Sequence, residues 1–352
     1  MNRETASVRA GEEINIDSLT RYLQTHLNHA ADDVAVEQFP AGSSNLTYLI
    51  RIGGDEYVLR RPPFGNTVKT AHDMRREFNV LSKLSAVYSP APKPLLFCED
   101  ESVLRSEFYL MERRRGLIIR GRAPIELDES GDLRGRVCES FIANLAALHS
   151  IDYNAAGLDE LGRPEGYCRR QVEGWTKRYF AAKTHEWPEL ERVIVWLNDN
   201  IPDEAGASLV HNDYKFDNVM LDPADLTRVT AVLDWEMVTI GDPLMDLGTT
   251  LGYWMSAESG EEMMRMPFNP ATLMLNVSRA EMVEMYARAT QTSAPDMLFY
   301  YVFGTFKIAV IAQQIYARFV KGFTSDTRFA KFDSFVATLG RIASASIDRK
   351  HI

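Results

Sequence analysis

The spacing of apolar residues predicts that strands dominate the first third of the chain. Short alternating or apolar runs, typical of strands, occupy residues 34–39, 46–52, 56–60, 94–98 and 108–111. Helical spacing appears at residues 17–27 and again at 70–84, between the third and fourth of these runs. A Pro-Ala-Gly-Ser-Ser-Asn turn separates the first two strands, and Gly53-Gly54 separates the next two.

Helical spacing then prevails to the end of the chain. It predicts helices over residues 133–149, 171–183 and 189–200, and further helices from Asp242 onward. The stretch 208–236 interrupts them with two apolar runs that flank polar loops. Because strands come first and helices follow, we predict an α+β fold with two lobes. The small β-rich lobe would comprise residues 1–112, and the large helical lobe residues 113–352.

Composition narrows the possible partners and the compartment. The chain has 352 residues, enough for two lobes with a sizeable core, and a net charge of −10, which argues against nucleic acid as a partner. Three widely spaced cysteines without metal-ligand spacing indicate reduced thiols. No signal-peptide core is evident, and the apolar stretch 297–320 is interrupted by charged and amide residues. We therefore predict a cytoplasmic protein without a membrane segment.

The segment 208–236 carries the residues that phosphoryl transfer requires. That chemistry needs a carboxylate near the attacking hydroxyl, a carboxamide and a second carboxylate for Mg²⁺, and a cation near the phosphate. These groups are supplied, in the expected order, by Asp213, Lys215, Asn218 and Asp234. The pattern favours a kinase in which Asp213 is catalytic, Lys215 neutralises phosphate charge, and Asn218 and Asp234 bind Mg²⁺. A carboxylate that only caps a turn is the alternative for Asp213.

Two neighbouring residues have weaker assignments. Glu236 would contact a second metal ion or its water, although an exposed carboxylate at a strand end is nearly as common. His211 is expected to hold the catalytic loop in shape rather than to carry a proton.

Further motifs lie at 41–48, 57–63 and 241–248, in addition to those at 211–218 and 233–236. Together they resemble the aminoglycoside-phosphotransferase and choline-kinase family, most closely the kinase-like domains that precede acyl-CoA dehydrogenase domains in larger proteins. The resemblance covers roughly residues 30–325 and implies a protein-kinase-like fold that uses ATP and Mg²⁺. No dehydrogenase segment follows here, so we expect the kinase part alone.

The resemblance also assigns residues to the nucleotide. Gly42, Ser43, Ser44 and Asn45 would fold over the ATP phosphates, where small residues let backbone N–H groups approach. Arg60 stands where kinases usually have Lys, and Glu77 in the next helix would be its ion-pair partner. Met111, Glu112 and Arg113 would contact the adenine. In the helical lobe, Asp246 is expected to brace the catalytic loop.

Two functions remain in competition at this stage. One is an ATP-dependent kinase acting on a hydroxyl of a small molecule, with a hydroxyacyl-CoA ester and an aminoglycoside as acceptor classes. The other is a non-catalytic nucleotide-binding pseudokinase. This function stays open because Arg60 stands in place of the lysine that kinases usually have. A basic cluster at 113–115 and 120–122 is either a solvated surface or a contact for a phosphate-bearing substrate. The choice between ATP and GTP and the oligomeric state have no sequence signal.

Overall fold

The computed structural model describes residues 4–27, 33–39, 45–64, 73–256, 259–264, 270–293, 295–323 and 327–352. The chain divides into two compact units. The first comprises Met1–Arg115 and Ala231–Glu236, and the second comprises Gly116–Thr230 and Met237–Ile352.

The division differs from the sequence prediction at two segments, residues 113–115 and residues 231–236. Residues 231–236 had been assigned to the helical lobe, but they pack within the first unit. Val232 donates a backbone hydrogen bond of 2.8 Å to the carbonyl of Pro90, and the ring of Trp235 packs edge-on against Tyr88. These contacts join residues far apart in sequence, so local spacing gave no sign of them.

The first unit is built on a five-stranded antiparallel sheet with the order β1-β2-β3-β5-β4. The strands are β1 (Val34–Gln38), β2 (Leu46–Ile52), β3 (Asp55–Arg61), β4 (Pro94–Cys98) and β5 (Phe108–Glu112), and the helices are α1 (Ile16–His26), α2 (Met74–Leu84) and the short α3 (Glu101–Leu104). The turn between β2 and β3 requires positive φ at Gly53 and Gly54, 58° and 93°, which glycine adopts without steric cost.

Helix α2 shows how the sequence sets an element that positions the site. Asp73 caps its N-terminus by accepting a hydrogen bond from the backbone N–H of Arg76. Its buried face carries Met74, Val80, Leu81 and Leu84, and the carboxylate of Glu77 lies on the same buried face. The predicted helix began at residue 70, but residues 70–72 lie outside the described part of the chain.

The second unit is predominantly helical. Its longer helices are α5 (Gly131–His149), α6 (Tyr167–Ala182), α7 (Pro188–Asp199), α8 (Pro243–Tyr253), α11 (Arg279–Thr290), α12 (Leu298–Val320) and α13 (Phe332–Arg349), and its shorter ones are α4 (Ile125–Glu129), α9 (Glu261–Met264) and α10 (Ala271–Asn276). Two small ladders pair β6 (Ser208–Val210) with β9 (Thr239–Gly241), and β7 (Val219–Asp222) with β8 (Asp225–Val232). The predicted succession of a strand-rich part and a helical part is confirmed.

Helix α12 is the core helix of the second unit. By length and composition it is the one helix in the described ranges that could cross a membrane, but most of it is buried inside the protein. It packs closely against α8, where a Cβ on Gly248 or on Gly304 would collide with the backbone of the opposite helix. Helix α12 is therefore apolar because it packs in the interior of the second unit. The charged and amide residues that interrupt it had favoured such a helix over a membrane segment.

Candidate active site

The predicted catalytic loop, called the catalytic loop below, runs from His211 to Asn218 in the second unit, between β6 and β7. The backbone N–H groups of His211 and Asn212 donate to the two carboxylate oxygens of Asp246, at 2.6 and 2.7 Å. Asp246 lies in the first turn of α8 and is fully buried. Burial alone would raise its pKa, but a 3.1 Å hydrogen bond with His149, together with the nearby His211 and Lys307, outweighs burial and lowers the pKa of Asp246. The predicted brace by Asp246 is present.

His211 has the structural environment that was predicted for it. Its side chain is fully buried, and its Nδ1 accepts a hydrogen bond from the backbone N–H of Asp213 at 3.3 Å. The imidazole therefore fixes the backbone at Asp213.

Asp213 is held by three side chains of the second unit. Lys215 Nζ lies 2.8 and 2.7 Å from its two oxygens. Tyr253 donates its hydroxyl to Oδ1 at 2.7 Å, and Asn218 donates its amide to Oδ2 at 2.9 Å. Burial works against ionisation, but Lys215 and these hydrogen bonds outweigh it and lower the pKa of Asp213. Asp213 and Lys215 form an ion pair in which each side chain is 15% exposed.

Sequence reasoning missed two residues around this carboxylate. Tyr253 is the last residue of α8, and its ring centroid lies 4.6 Å from Lys215 Nζ. Lys307 is buried in α12 and reaches the carbonyl of Asn212. The only available signal for Lys307 was a lysine within an apolar helical stretch, and Tyr253 had none.

In the first unit, Arg60 forms the predicted ion pair with Glu77. Arg60 Nη1 lies 3.2 Å from Glu77 Oε1, and Arg60 Nη2 lies 3.1 Å from Asp234 Oδ1. Burial opposes the charge on Arg60, but Glu77 and the other acidic groups nearby raise its pKa well above the ordinary value. A guanidinium has the fork geometry to bind two carboxylates at once, whereas a lysine ammonium is a point charge.

Asn45 and Glu236 also lie together in the first unit. The amide of Asn45 donates to Glu236 Oε2 at 2.9 Å, and Arg76 donates to the Glu236 carbonyl at 3.1 Å. A residue predicted for the phosphates and one predicted for the metal are thus direct neighbours. The remaining predicted phosphate-binding residues, Gly42, Ser43 and Ser44, lie outside the described residues.

The predicted adenine-binding segment is largely occupied by internal contacts. The backbone N–H of Glu112 donates to Lys93 at 2.9 Å, so this donor is committed within the first unit. Met111 is buried and pairs with Val58 in β3. The guanidinium of Arg113 lies 4.9 Å from the ring centroid of Phe39. A contact of this segment with adenine stays a prediction.

Four arginines of the basic cluster contact carboxylates. Arginine–carboxylate contacts join Arg113 to Glu4, Arg114 to Glu112, Arg115 to Glu56 and Arg120 to Asp217. Each arginine of these pairs therefore has an acidic neighbour, which weakens the interpretation of the cluster as a phosphate-binding surface.

Each unit carries oxygen donors of the kind that Mg²⁺ prefers. The side-chain amide of Asn218 donates to the backbone carbonyl and to Oδ2 of Asp213, and no described residue donates to its side-chain oxygen. Asp234 uses Oδ1 for Arg60, and no described residue donates to its Oδ2. No group of three or more His, Cys, Asp and Glu suited to a metal occurs in the described residues. Mg²⁺ needs only one or two carboxylates and takes further oxygens from phosphate and water.

A family model described as "Phosphotransferase enzyme family" matches residues 35–294. The chain belongs to this phosphotransferase family. The match contains the predicted catalytic and nucleotide-binding residues, from Gly42 to Glu236, and it confirms the resemblance on which their assignment rested.

Individual relatives agree with this assignment. The chain is 36% identical over 346 residues to acyl-CoA dehydrogenase family member 11 of Gallus gallus, and the match covers 95% of this chain and 44% of the relative. It thus spans less than half the length of that relative.

Among solved structures, a putative aminoglycoside phosphotransferase from Ralstonia eutropha is 30% identical, with a TM-score of 0.80 and coverage of 96% of this chain and 99% of that one. Choline kinase from Cryptosporidium parvum has a TM-score of 0.65 at 12% identity, with coverage of 96% and 97%, and shares the fold. The predicted protein-kinase-like fold is confirmed.

Proposed function

We propose that this phosphotransferase moves the γ-phosphate of ATP to a hydroxyl group of a small molecule. The observation that carries the proposal is the environment of Asp213. An ionised carboxylate is held by Lys215, Tyr253 and Asn218 on a loop that Asp246 braces. A structural capping residue would not need an ion pair and two further side-chain donors.

Asp213 would act chiefly by orienting the acceptor hydroxyl. Its lowered pKa makes it a weak base, which suits a loose transition state in which the hydroxyl loses its proton late. As the new O–P bond forms and the bond to the leaving ADP oxygen breaks, the hydroxyl proton would pass to Asp213. Lys215 would offset negative charge on the transferred group.

The nucleotide would be bound by the residues assigned from the sequence. In the first unit, Gly42 to Asn45 and the Arg60–Glu77 pair would bind the phosphates, and Met111 to Arg113 would contact the adenine. Asp234 and Glu236 there, and Asn218 in the second unit, would supply oxygen ligands for Mg²⁺. The metal would contribute neutralisation of phosphate charge, as it does in related chemistry.

A small-molecule acceptor is favoured by the short path after Asp234. The chain passes through a 3₁₀ turn at Trp235–Met237 and β9 directly into α8 at Pro243. Protein kinases use a long activation segment at this point to bind peptides. The names of the relatives keep hydroxyacyl-CoA esters and aminoglycosides among the acceptor classes to be tested.

The pseudokinase alternative has no supporting observation. Arg60 was the feature that suggested it, yet Arg60 retains the charge and the ion pair with the α2 glutamate. A cytoplasmic location remains part of the proposal, and the buried free thiols of Cys98, Cys138 and Cys168 suit a reducing compartment.

The direct test is ADP release by the purified protein with ATP, Mg²⁺ and panels of hydroxyacyl-CoA esters, amino alcohols, sugars and aminoglycosides. We expect acceptor-dependent turnover that Asp213→Asn abolishes. Absence of turnover on every panel, or equal turnover by Asp213→Asn, would reject the proposed function. Asp213-dependent labelling of proteins by radioactive ATP would instead establish a protein acceptor.

A further inference from the structure

Lys307 is a buried cation without an ion-pair partner among the described residues. It lies in the middle of α12 with 1% of its surface exposed. Its Nζ donates to the backbone carbonyl of Asn212 at 2.6 Å and lies 3.3 Å from the side-chain Oδ1 of the same residue. Burying an ammonium group is costly, and most buried lysines offset that cost with a carboxylate. Lys307 instead donates to a peptide carbonyl.

Asn212 is the residue immediately before Asp213, and each of its polar atoms has a partner. Its N–H donates to Asp246 at 2.7 Å, and its side-chain amide donates to the Met237 carbonyl at 3.1 Å. Its Oδ1 accepts from the Tyr167 hydroxyl at 3.2 Å, and Lys307 binds the remaining carbonyl. The backbone of Asn212 adopts the left-handed conformation, with φ of 67°, which residues other than glycine adopt at a cost in free energy.

The carbonyl of Asn212 and the N–H of Asp213 belong to one planar peptide group. A contact that fixes the carbonyl therefore also fixes the direction in which the backbone enters Asp213. We propose that Lys307 is a positioning residue that holds the Asn212–Asp213 peptide plane and so aims the Asp213 carboxylate. This role rests on the proposed function in one respect, namely that Asp213 acts on the acceptor.

The charged groups that face Lys307 bear on its protonation. Asp246 of α8 and Asp213 of the catalytic loop favour the ammonium form, whereas Lys215 of that loop and Arg178 of α6 oppose it. The Trp175 ring, also on α6, lies 5.6 Å from Nζ. Burial is the largest influence and lowers the pKa of Lys307 to about 8. A neutral amine makes a weaker hydrogen bond to a carbonyl than an ammonium does. The contact between Lys307 and the Asn212 carbonyl therefore weakens as pH rises above about 8.

The test compares Lys307→Met with Lys321→Met, which removes an exposed lysine at the end of the same helix. We expect Lys307→Met to lower kcat by about 10²-fold with little change in the KM for ATP, because a small misplacement of a reacting group has effects of this size. Wild type should show an alkaline decline of kcat near pH 8 that is missing in Lys307→Met. Lys321→Met should retain both the rate and the decline.

Lys307→Gln tests the hydrogen bond separately from the charge, and it serves if the methionine variant does not fold. The amide can still donate but does not titrate, so we expect an intermediate kcat without the alkaline decline. A wild-type kcat and pH profile in either folded variant would overturn the inference while leaving the proposed function intact.

Inactivity of wild type on every acceptor would reject the proposed function, and the positioning role would then be judged by structure and stability. A crystal structure of the Lys307 variant should show a rotated Asn212–Asp213 peptide, and an unchanged peptide would overturn the inference. Because the pKa is lowered in the folded state, the stability of wild type relative to the variant should increase as pH rises from about 8 toward the ordinary value of 10.5. A difference independent of pH would contradict the assigned titration.

Discussion

The hydroxyl of Tyr253 donates a hydrogen bond of 2.7 Å to Oδ1 of Asp213. The two residues lie 40 positions apart, one at the end of α8 and the other in the catalytic loop. Burial, followed by the charge of Asp213, raises the pKa of the tyrosine, so its phenol remains a proton donor throughout the physiological range. An acceptor hydroxyl that approaches Oδ1 must share this oxygen with Tyr253 or displace it.

Tyr253→Phe should raise the pKa of Asp213, because the substitution removes a donor that stabilises the ionised carboxylate. Hydrogen bonds to charged groups contribute about 1.5–3 kcal/mol, so the loss of one should have a measurable effect on the pKa of Asp213. We expect the acidic limb of the kcat profile to move to higher pH. Tyr300→Phe, at a buried position of α12, is the matched control and should leave the limb in place. An unshifted profile in Tyr253→Phe would show that the bond has no influence on Asp213.

Asp213→Asn should reduce transfer by about 10²- to 10⁴-fold, the range of general-base contributions, while nucleotide affinity changes little. The role proposed for this carboxylate is at the acceptor and not at the adenine. Turnover and ATP titration of the same preparation separate the two effects. Asp132→Asn, an exposed change on α5, should be inert. Loss of nucleotide binding together with turnover would assign Asp213 to the nucleotide instead.

Mg·ATP should raise the melting temperature of wild type, since a ligand that binds only the folded state stabilises it by mass action. Asp234→Ala should lose most of this shift because it removes a proposed metal ligand. The measurement is a thermal-shift titration with ATP and Mg²⁺ together and with each alone. If millimolar Mg·ATP has no effect on wild type, the nucleotide assignment fails. A full shift in Asp234→Ala would exclude that residue as a ligand.

Arg60→Ala should destabilise the protein and weaken nucleotide binding. Glu77 is 2% exposed, and removal of its cation leaves a buried carboxylate without compensation, at a cost of about 3–5 kcal/mol. Arg60→Lys should retain binding with altered affinity, since it keeps the charge and loses the fork geometry. Urea denaturation measures the stability, and Arg75→Ala removes a far more exposed arginine as control. Equal stability of Arg60→Ala and wild type would show that the pair contributes nothing.

Asp246→Asn should destabilise the catalytic loop, because the ionised carboxylate accepts two backbone N–H groups and contacts His149. The pKa of Asp246 is lowered on folding from its ordinary value of 3.8. Its contribution is therefore present above pH 3.8 and is lost as pH falls through the lower folded value. The stability gap between wild type and variant should narrow over this acidic range in denaturant titrations. A gap that stays constant with pH would mean that the charge of Asp246 is irrelevant.

The sequence by itself determined the elements and the local relationships of the site. Strand alternation and helical spacing located β2, β3, β5 and α5 to within a few residues, because apolar periodicity reflects which face of each element is buried. The spacing of Asp213, Lys215 and Asn218 predicted that these three residues lie together, as their hydrogen bonds show. The Arg60–Glu77 pair was also predictable, since a strand and the helix that follows it carry those two residues at family-specific positions.

Tertiary structure decided the contacts that no local spacing encodes. Tyr253 meets Asp213, Asn45 meets Glu236, and Lys307 meets Asn212 at separations of 40, 191 and 95 residues. In the sequence, a tyrosine or lysine within an apolar helix looks the same whether its side chain faces the solvent, the core or the catalytic loop. Only packing brings its polar atom to a partner, and burial then sets the strength of that contact and the pKa of the group.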